Sequence, residues 1–161
     1  MATIIELFRI SKELTVEFLG TFARFEYALK RAGYVKGDEK HVWADWDGFG
    51  HKLASLDPAI LAPVLKCCHY LRDHPPKKQV MRGGQLEWAV RTPAGSAIED
   101  ILLSTRTVRN NVFHGGKFPD GPVAEPLRDE QLIRDCLAAL KAILDIPGFP
   151  KTITEYFRPE T

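Results

Sequence analysis

The chain has 161 residues, of which 45% are apolar and 27% are charged, and these values are typical of one ordinary globular domain spanning residues 1–161. Its 22 basic and 21 acidic residues nearly balance, which argues against a broad basic face for non-specific duplex binding. The sequence has no run of about 18 apolar residues, so we expect no membrane partner. The N-terminal residues mix acids and bases without a cleavage signal, and we therefore expect a cytoplasmic protein.

The cysteines and acidic residues do not indicate a metal site. Cys67, Cys68 and Cys136 are an odd and sparse set, which we expect to be small buried side chains and not a disulfide framework. The segment "CCHYLRDH" lacks the separated ligand pairs that zinc prefers. A calcium loop with Gly48 at its sixth position would place Ala54 where a bidentate glutamate is needed. Phosphate-loop and dinucleotide fingerprints are also missing, so we expect neither a metal nor a cofactor.

In the first half of the chain, helix signals dominate. Apolar residues recur every three or four positions over residues 14–32, which predicts an amphipathic helix that Gly33 ends. Asp38 is expected to cap a second helix containing the two tryptophans of "HVWADWDGFGH", which favour a core or an interface over a base-stacking platform. Asp57, followed by proline, is expected to begin a third helix that reaches about Asp73.

A loop separates these helices from the second half of the chain. Prolines, glycines and charges predict that residues 74–84 form a loop, and residues 85–91 are ambiguous. Lys77, Lys78 and Arg82 in this loop are consistent with a solvated surface or with a contact to an RNA backbone.

Two long helices are expected in the second half. Ser96 and Glu99 form the pattern of a capping box, which predicts a helix from Ala97 until Gly115. Residues 126–144 form the last long helix, and the tail contains a short packed element. The fold class that follows is all-α, a compact bundle of about five helices.

The end of the helix that begins at Ala97 carries unusual polar chemistry. Arg109 lies near the middle of its apolar stripe, and an unpaired buried guanidinium is costly. The Arg109 guanidinium must therefore pair with a carboxylate, for which Glu26 is our candidate, extend to the edge of the core, or face a ligand anion or a partner chain. Asn110 and His114 share a neighbouring face, and the helix C-terminus favours a protonated histidine.

These residues resemble the signature of the HEPN superfamily (higher-eukaryote and prokaryote nucleotide-binding domains). That signature is an arginine, a polar residue next to it, and a histidine after four to six intervening residues. Here it reads "RNNVFH" from Arg109 to His114, and the following "GGK" is similar to bacterial members. The segment "FARFEYALKRAGY" in the first helix adds a fainter likeness.

The resemblance implies a HEPN-like bundle that acts as a metal-independent endoribonuclease on single-stranded RNA. Its implied catalytic residues are Arg109, Asn110 and His114, which would support attack by the RNA 2′-hydroxyl, and Arg106 and Lys117 are auxiliary substrate-binding candidates. It also implies a homodimer with a composite site, a role as a toxin or defence effector, and a nucleotidyltransferase-like antitoxin as a partner.

Two other interpretations of the same residues stay open at this point. A domain of the same fold could bind RNA, a nucleotide or a partner protein without catalysis. The histidine and an ion-paired arginine could also serve only to stabilise the helix end, which is common in proteins. In that case the protein could be a helical interaction scaffold.

Overall fold

A computed structural model describes residues 10–114, 126–147 and 151–158. The described residues contain seven helices and four short strands. In chain order these are α1 (Lys12–Arg31), β1 (Val35–Gly37), β2 (Val42–Ala44), α2 (Trp46–Ala54), α3 (Pro58–Cys67), α4 (His69–Asp73), β3 (Lys78–Arg82), β4 (Gln85–Ala89), α5 (Ala97–Phe113), α6 (Pro126–Leu144) and α7 (Lys151–Phe157).

The four strands make the all-α prediction wrong. They form two separate antiparallel pairs, β1 with β2 and β3 with β4. The β1–β2 pair occupies the region where Asp38 was expected to cap a helix, and the helix there begins only at Trp46 behind the cap Asp45. The β3–β4 pair extends over the predicted loop and the ambiguous segment after it. The fold is therefore rich in helix but includes two β-hairpins.

The third predicted helix is divided in two. Asp57 caps α3 as expected, accepting a hydrogen bond from the Ala59 N–H at 2.8 Å. Cys68 then leaves the helical conformation, with φ −127° and ψ 39°, before α4 begins. The buried Asp135 carboxylate accepts a hydrogen bond from the Leu71 N–H at 2.9 Å, so α6 stabilises the first turn of the short helix after the break.

The core lies between the long helices. α1 packs on α6 and α7, α5 packs on α2 and α6, and α3 and α4 both pack on α6. The largest fully buried side chains come from these helices: Phe18, Phe25, Phe49, Leu29, Leu53, Leu71, Ile98, Ile101, Leu132, Ile133, Leu140 and Ile143. None of the helices among the described residues combines the length and apolar character needed to cross a membrane.

An aromatic stack joins α1 to α2 beside α5. The Trp46 ring lies against Phe25, with ring centroids 5.5 Å apart and planes 9° apart, and against Phe22 at 5.1 Å. The indole N–H of Trp46 donates to a carboxylate oxygen of Glu26 at 3.0 Å. Gly50 allows α2 to approach α5 closely, since a Cβ there would lie 3.2 Å from Cγ of Glu99.

Candidate functional site

The candidate site lies on the last turns of α5, whose start is fixed by a partly formed capping box. The Ser96 hydroxyl accepts a hydrogen bond from the Glu99 N–H at 3.4 Å, which confirms the predicted cap. The Glu99 carboxylate, however, does not complete the box. It pairs with Nδ1 of His51 at 2.6 Å and so ties the first turn of α5 to α2.

A buried ion pair holds the segment that leads into α5. The Arg91 side chain is 5% exposed, and both of its terminal nitrogens donate to the Asp100 carboxylate at 2.7 Å. One of them also donates to the Ser104 hydroxyl at 2.6 Å, and the Ala94 N–H donates to Asp100 at 2.8 Å. Burial opposes the ionisation of Asp100, but these hydrogen bonds outweigh it, and the pKa of its carboxyl is lowered.

Arg109 is half-buried and lies between aromatic rings. Its guanidinium carbon is 5.4 Å from the ring centroid of Phe22 and 5.2 Å from that of Phe113, within the range of a cation–π contact. One terminal nitrogen donates to the Asn110 side-chain oxygen at 2.9 Å. Glu26, the expected ion-pair partner, instead accepts a hydrogen bond from Trp46. Among the described residues, no carboxylate forms an ion pair with Arg109.

His114 is the C-cap residue of α5 and is exposed. Its N–H donates to the Asn110 carbonyl at 2.9 Å. Its imidazole meets the Phe113 ring edge to face, with centroids 5.2 Å apart and planes 86° apart. The Phe113 ring, which is 62% exposed, therefore contacts both the guanidinium of Arg109 and the imidazole of His114. The expected helix end at Gly115 lies one residue outside the described range.

Two adjacent asparagines have different roles. Asn110 is exposed and holds Arg109, as its place in the motif allows. Asn111 is 7% exposed, and its side-chain N–H donates to the carbonyl of Lys77 at 2.8 Å. This bond joins the end of α5 to the β3–β4 hairpin. The spacing of the motif could not indicate it, because the partner is 34 positions away.

The auxiliary candidates are placed differently. Arg106 lies one turn before Asn110 and forms an ion pair with the exposed Asp47 of α2 at 2.9 Å. It therefore has an intramolecular partner that a phosphate would have to displace. Lys117 lies outside the described residues. The loop lysines Lys77 and Lys78 are exposed, and the second begins β3.

The cysteines and histidines do not converge elsewhere. Cys68 and Cys136 are buried and Cys67 is partly buried, as expected of small core side chains. Burial raises the pKa of the Cys68 thiol to about 12 and also raises that of Cys136. Within the described ranges, no group of three or more histidine, cysteine or acidic side chains could hold a metal ion.

The chemistry available at the end of α5 is a cation on an aromatic ring, an amide and an imidazole. Phe113 is the residue that the motif pattern missed, because the pattern treats it as a spacer between Asn110 and His114. Comparison with protein-family models, curated proteins and solved structures finds no match. The HEPN resemblance therefore rests on the motif residues themselves.

Proposed function

We propose that the protein is a metal-independent endoribonuclease that cleaves single-stranded RNA through attack of the 2′-hydroxyl. In this proposal Arg109, Asn110 and His114 form the catalytic group, and two copies of the chain complete the site in a homodimer. A role as a toxin or defence effector, held in check by a nucleotidyltransferase-like antitoxin, belongs to the same proposal.

The observation that carries this proposal is the environment of Arg109. Its guanidinium lies on two aromatic rings and against an amide oxygen, and it forms no ion pair with a carboxylate among the described residues. A purely structural arginine at the edge of a core would be expected to pair with an acid. A guanidinium held in place by neutral groups keeps its charge for an anion such as a phosphodiester.

The residues can supply the groups that the reaction needs. His114 is exposed at the helix end, where its imidazole can take the proton of the 2′-hydroxyl or give one to the 5′-oxygen that leaves. Arg109 would bind the two non-bridging oxygens of the phosphate, and Asn110 would hold the guanidinium in position. The expected product carries a 2′,3′-cyclic phosphate.

The helix geometry supports the dimer in this proposal. Arg109 and His114 are separated by about 140° around an ideal helix, so helix periodicity alone does not direct both side chains at one phosphate. Around a two-fold axis, Arg109 of one protomer and His114 of its partner could face the same cleft. Phe113 gives this end of α5 an exposed apolar surface next to both groups.

RNA cleavage in the presence of EDTA tests the proposal. We expect the wild-type protein to cleave single-stranded RNA, and His114→Ala and Arg109→Ala to lose cleavage while keeping wild-type thermal unfolding. His41→Ala and Arg134→Ala are matched controls, because both side chains are exposed and lie on other elements of the fold. Equal cleavage by the wild type and all four variants would show that the site is assigned wrongly.

A domain that binds RNA, a nucleotide or a partner protein without catalysis is the second candidate function. The near balance of acidic and basic residues and the intramolecular pairing of Arg106 favour a binder of modest affinity. Absence of cleavage on a broad RNA panel, together with binding that depends on Arg109, would favour this function.

A further inference from the structure

A cavity lies between α2 and the first half of α5. It has a volume of about 160 Å³, and its lining includes Trp46, Asp47, His51, Glu99, Leu102 and Arg106. Its walls are therefore apolar in part, while acidic and basic side chains line the remainder. A cavity of this composition is suited to a small ligand with polar groups.

Two ion pairs line this cavity, and a third adjoins them through Asp45, the residue before Trp46. Lys36 meets Asp45 at 2.7 Å, Arg106 meets Asp47 at 2.9 Å, and His51 meets Glu99 at 2.6 Å. The Asp45 carboxylate also caps α2, and the Lys36 hydrogen bond, followed by that of the Gly48 N–H, lowers its pKa. We call these six side chains the rim.

The Arg106 pair is the most easily opened part of the rim. Asp47 has 71% of its side chain exposed and Arg106 has 35%, so water screens their attraction. A phosphodiester of RNA carries one negative charge, as a carboxylate does, and its two non-bridging oxygens accept two parallel hydrogen bonds from a guanidinium. A phosphate can therefore replace Asp47 at little cost.

The rim is continuous with the candidate catalytic end of α5. Arg106 and Asn110 lie one helical turn apart on the same side of α5. The Trp46 ring lines the cavity and stacks on Phe22. The Phe22 ring in turn contacts the guanidinium of Arg109. A strand of RNA bound at Arg109 would therefore reach the rim within a short distance along α5.

An exposed aromatic side chain stands beside the rim. Trp43 is 53% exposed and faces Lys36 across the β1–β2 pair, so both side chains lie on one face of that hairpin. A large exposed indole next to a cation is the arrangement that binds unpaired bases by stacking.

We propose that the rim, its cavity and Trp43 bind one nucleotide of single-stranded RNA next to the cleaved bond. In this proposal, which rests on the proposed RNA substrate, Arg106 binds the phosphate in place of Asp47 and Trp43 stacks on a base. Glu99 holds Nδ1 of His51, which leaves Nε2 to form a hydrogen bond with a ribose hydroxyl in the cavity.

The test measures the affinity of the full chain for fluorescein-labelled single-stranded RNA of mixed sequence, in the His114→Ala background so that the RNA stays intact. Asp47→Ala should tighten binding, because it frees Arg106, and Arg106→Ala should weaken it. Arg106→Ala should also lower the dependence of log Kd on log salt by about one. Trp43→Phe should reduce the quenching of tryptophan fluorescence by RNA, and Trp43→Ala should weaken binding by about fivefold or more.

The matched controls are Glu17→Ala and Lys141→Ala, which remove the acid and the base of an exposed ion pair of 2.8 Å between α1 and α6. If Asp47→Ala and Arg106→Ala shift the Kd no more than these controls, or both in the same direction, the nucleotide site is refuted even where the wild type cleaves RNA. Opposite shifts support the nucleotide site even where the wild type does not cleave, and that result would remove only the catalytic proposal.

Discussion

Removing the Asp100 carboxylate should destabilise the fold more than any change at an exposed ion pair. Asp100→Ala deletes the acceptor for both terminal nitrogens of Arg91 and for the Ala94 N–H. Arg91 keeps the Thr92 carbonyl, the Ser104 hydroxyl and a long bond of 3.4 Å to the main-chain carbonyl of residue 100, and its Nε is buried without a hydrogen-bond partner in the described residues.

The expected magnitude follows from this loss. Breaking a buried pair by removing one partner costs about 3–5 kcal/mol, and since a quarter of the Asp100 side chain reaches solvent we expect about 3 kcal/mol. For a chain of this size, that loss lowers Tm by about 6–12 °C.

Urea unfolding at neutral pH measures the effect, with Asp145→Ala in the exposed Arg158 pair as the control, where we expect less than about 1 kcal/mol. The double variant Arg91→Met, Asp100→Leu should recover most of the loss, because it removes both charges. A loss at Asp100→Ala no larger than the control, or no recovery in the double variant, would refute the reasoning.

Acid should remove the difference in the free energy of unfolding between the wild type and Asp100→Ala. The pKa of Asp100 in the folded protein is below its ordinary value of 3.8, so the ionised carboxyl stabilises the fold above that pH. This contribution is lost as the pH falls below 3.8 and through the folded value. The free energies of unfolding of the wild type and of Asp100→Ala should therefore converge in that range.

Three further substitutions test other contacts. Asn111→Ala should cost about 1–2 kcal/mol and speed amide hydrogen exchange in β3, because the hairpin carbonyl loses its donor; unchanged exchange would contradict this. Phe113→Ala should leave the free energy of unfolding within about 1 kcal/mol of the wild type but reduce RNA cleavage, since Arg109 and His114 both contact that exposed ring; full cleavage would mean that the ring does not position them. Gly50→Ala should be less stable than Gly20→Ala by about 1 kcal/mol or more, because a Cβ at position 50 would lie 3.2 Å from Cγ of Glu99, whereas a Cβ at position 20 meets open space and both changes gain helix propensity.

The long helices could be predicted because periodicity and capping are local. α1 was expected over residues 14–32 and extends over Lys12–Arg31, and α5 begins behind Ser96 as its cap requires. The sequence of the β3–β4 hairpin also carried a signal, a Gly-Gly pair between two short runs with β-forming residues, but charges and prolines favoured a loop.

The β1–β2 hairpin had no comparable signal. Its strands have three residues each and are almost entirely exposed, so they lack the alternation of buried and exposed positions that marks a strand. Asp38 does cap local backbone groups, but it accepts from the N–H groups of Lys40 and His41 in the connection between the strands and not from a helix. An aspartate can therefore accept hydrogen bonds from backbone N–H groups in a strand connection as well as at a helix N-terminus.

The candidate site could be placed along the helix but not in three dimensions. The spacing from Arg109 to His114 assigns each residue to a side of α5, and this assignment depends on the sequence alone. The partners of Arg109 come from α1 and from the spacer position Phe113, and the choice between Glu26 and Phe22 depends on how α1 and α5 cross. Tertiary packing sets that crossing, and spacing within one helix contains no information about it.

The tip of the β3–β4 hairpin has a consequence for chirality. Gly83 and Gly84 adopt φ values of 55° and 79°, and a Cβ at either position would meet no atom within 4 Å. A larger side chain at either position would therefore not clash with other residues. The positive φ values favour a D-amino acid and disfavour an L-amino acid. D-alanine at Gly84 would keep the native turn and narrow the conformations of the unfolded chain, whereas L-alanine would strain it. At this tip glycine therefore occupies a position that suits a D-amino acid, which ribosomal synthesis does not provide.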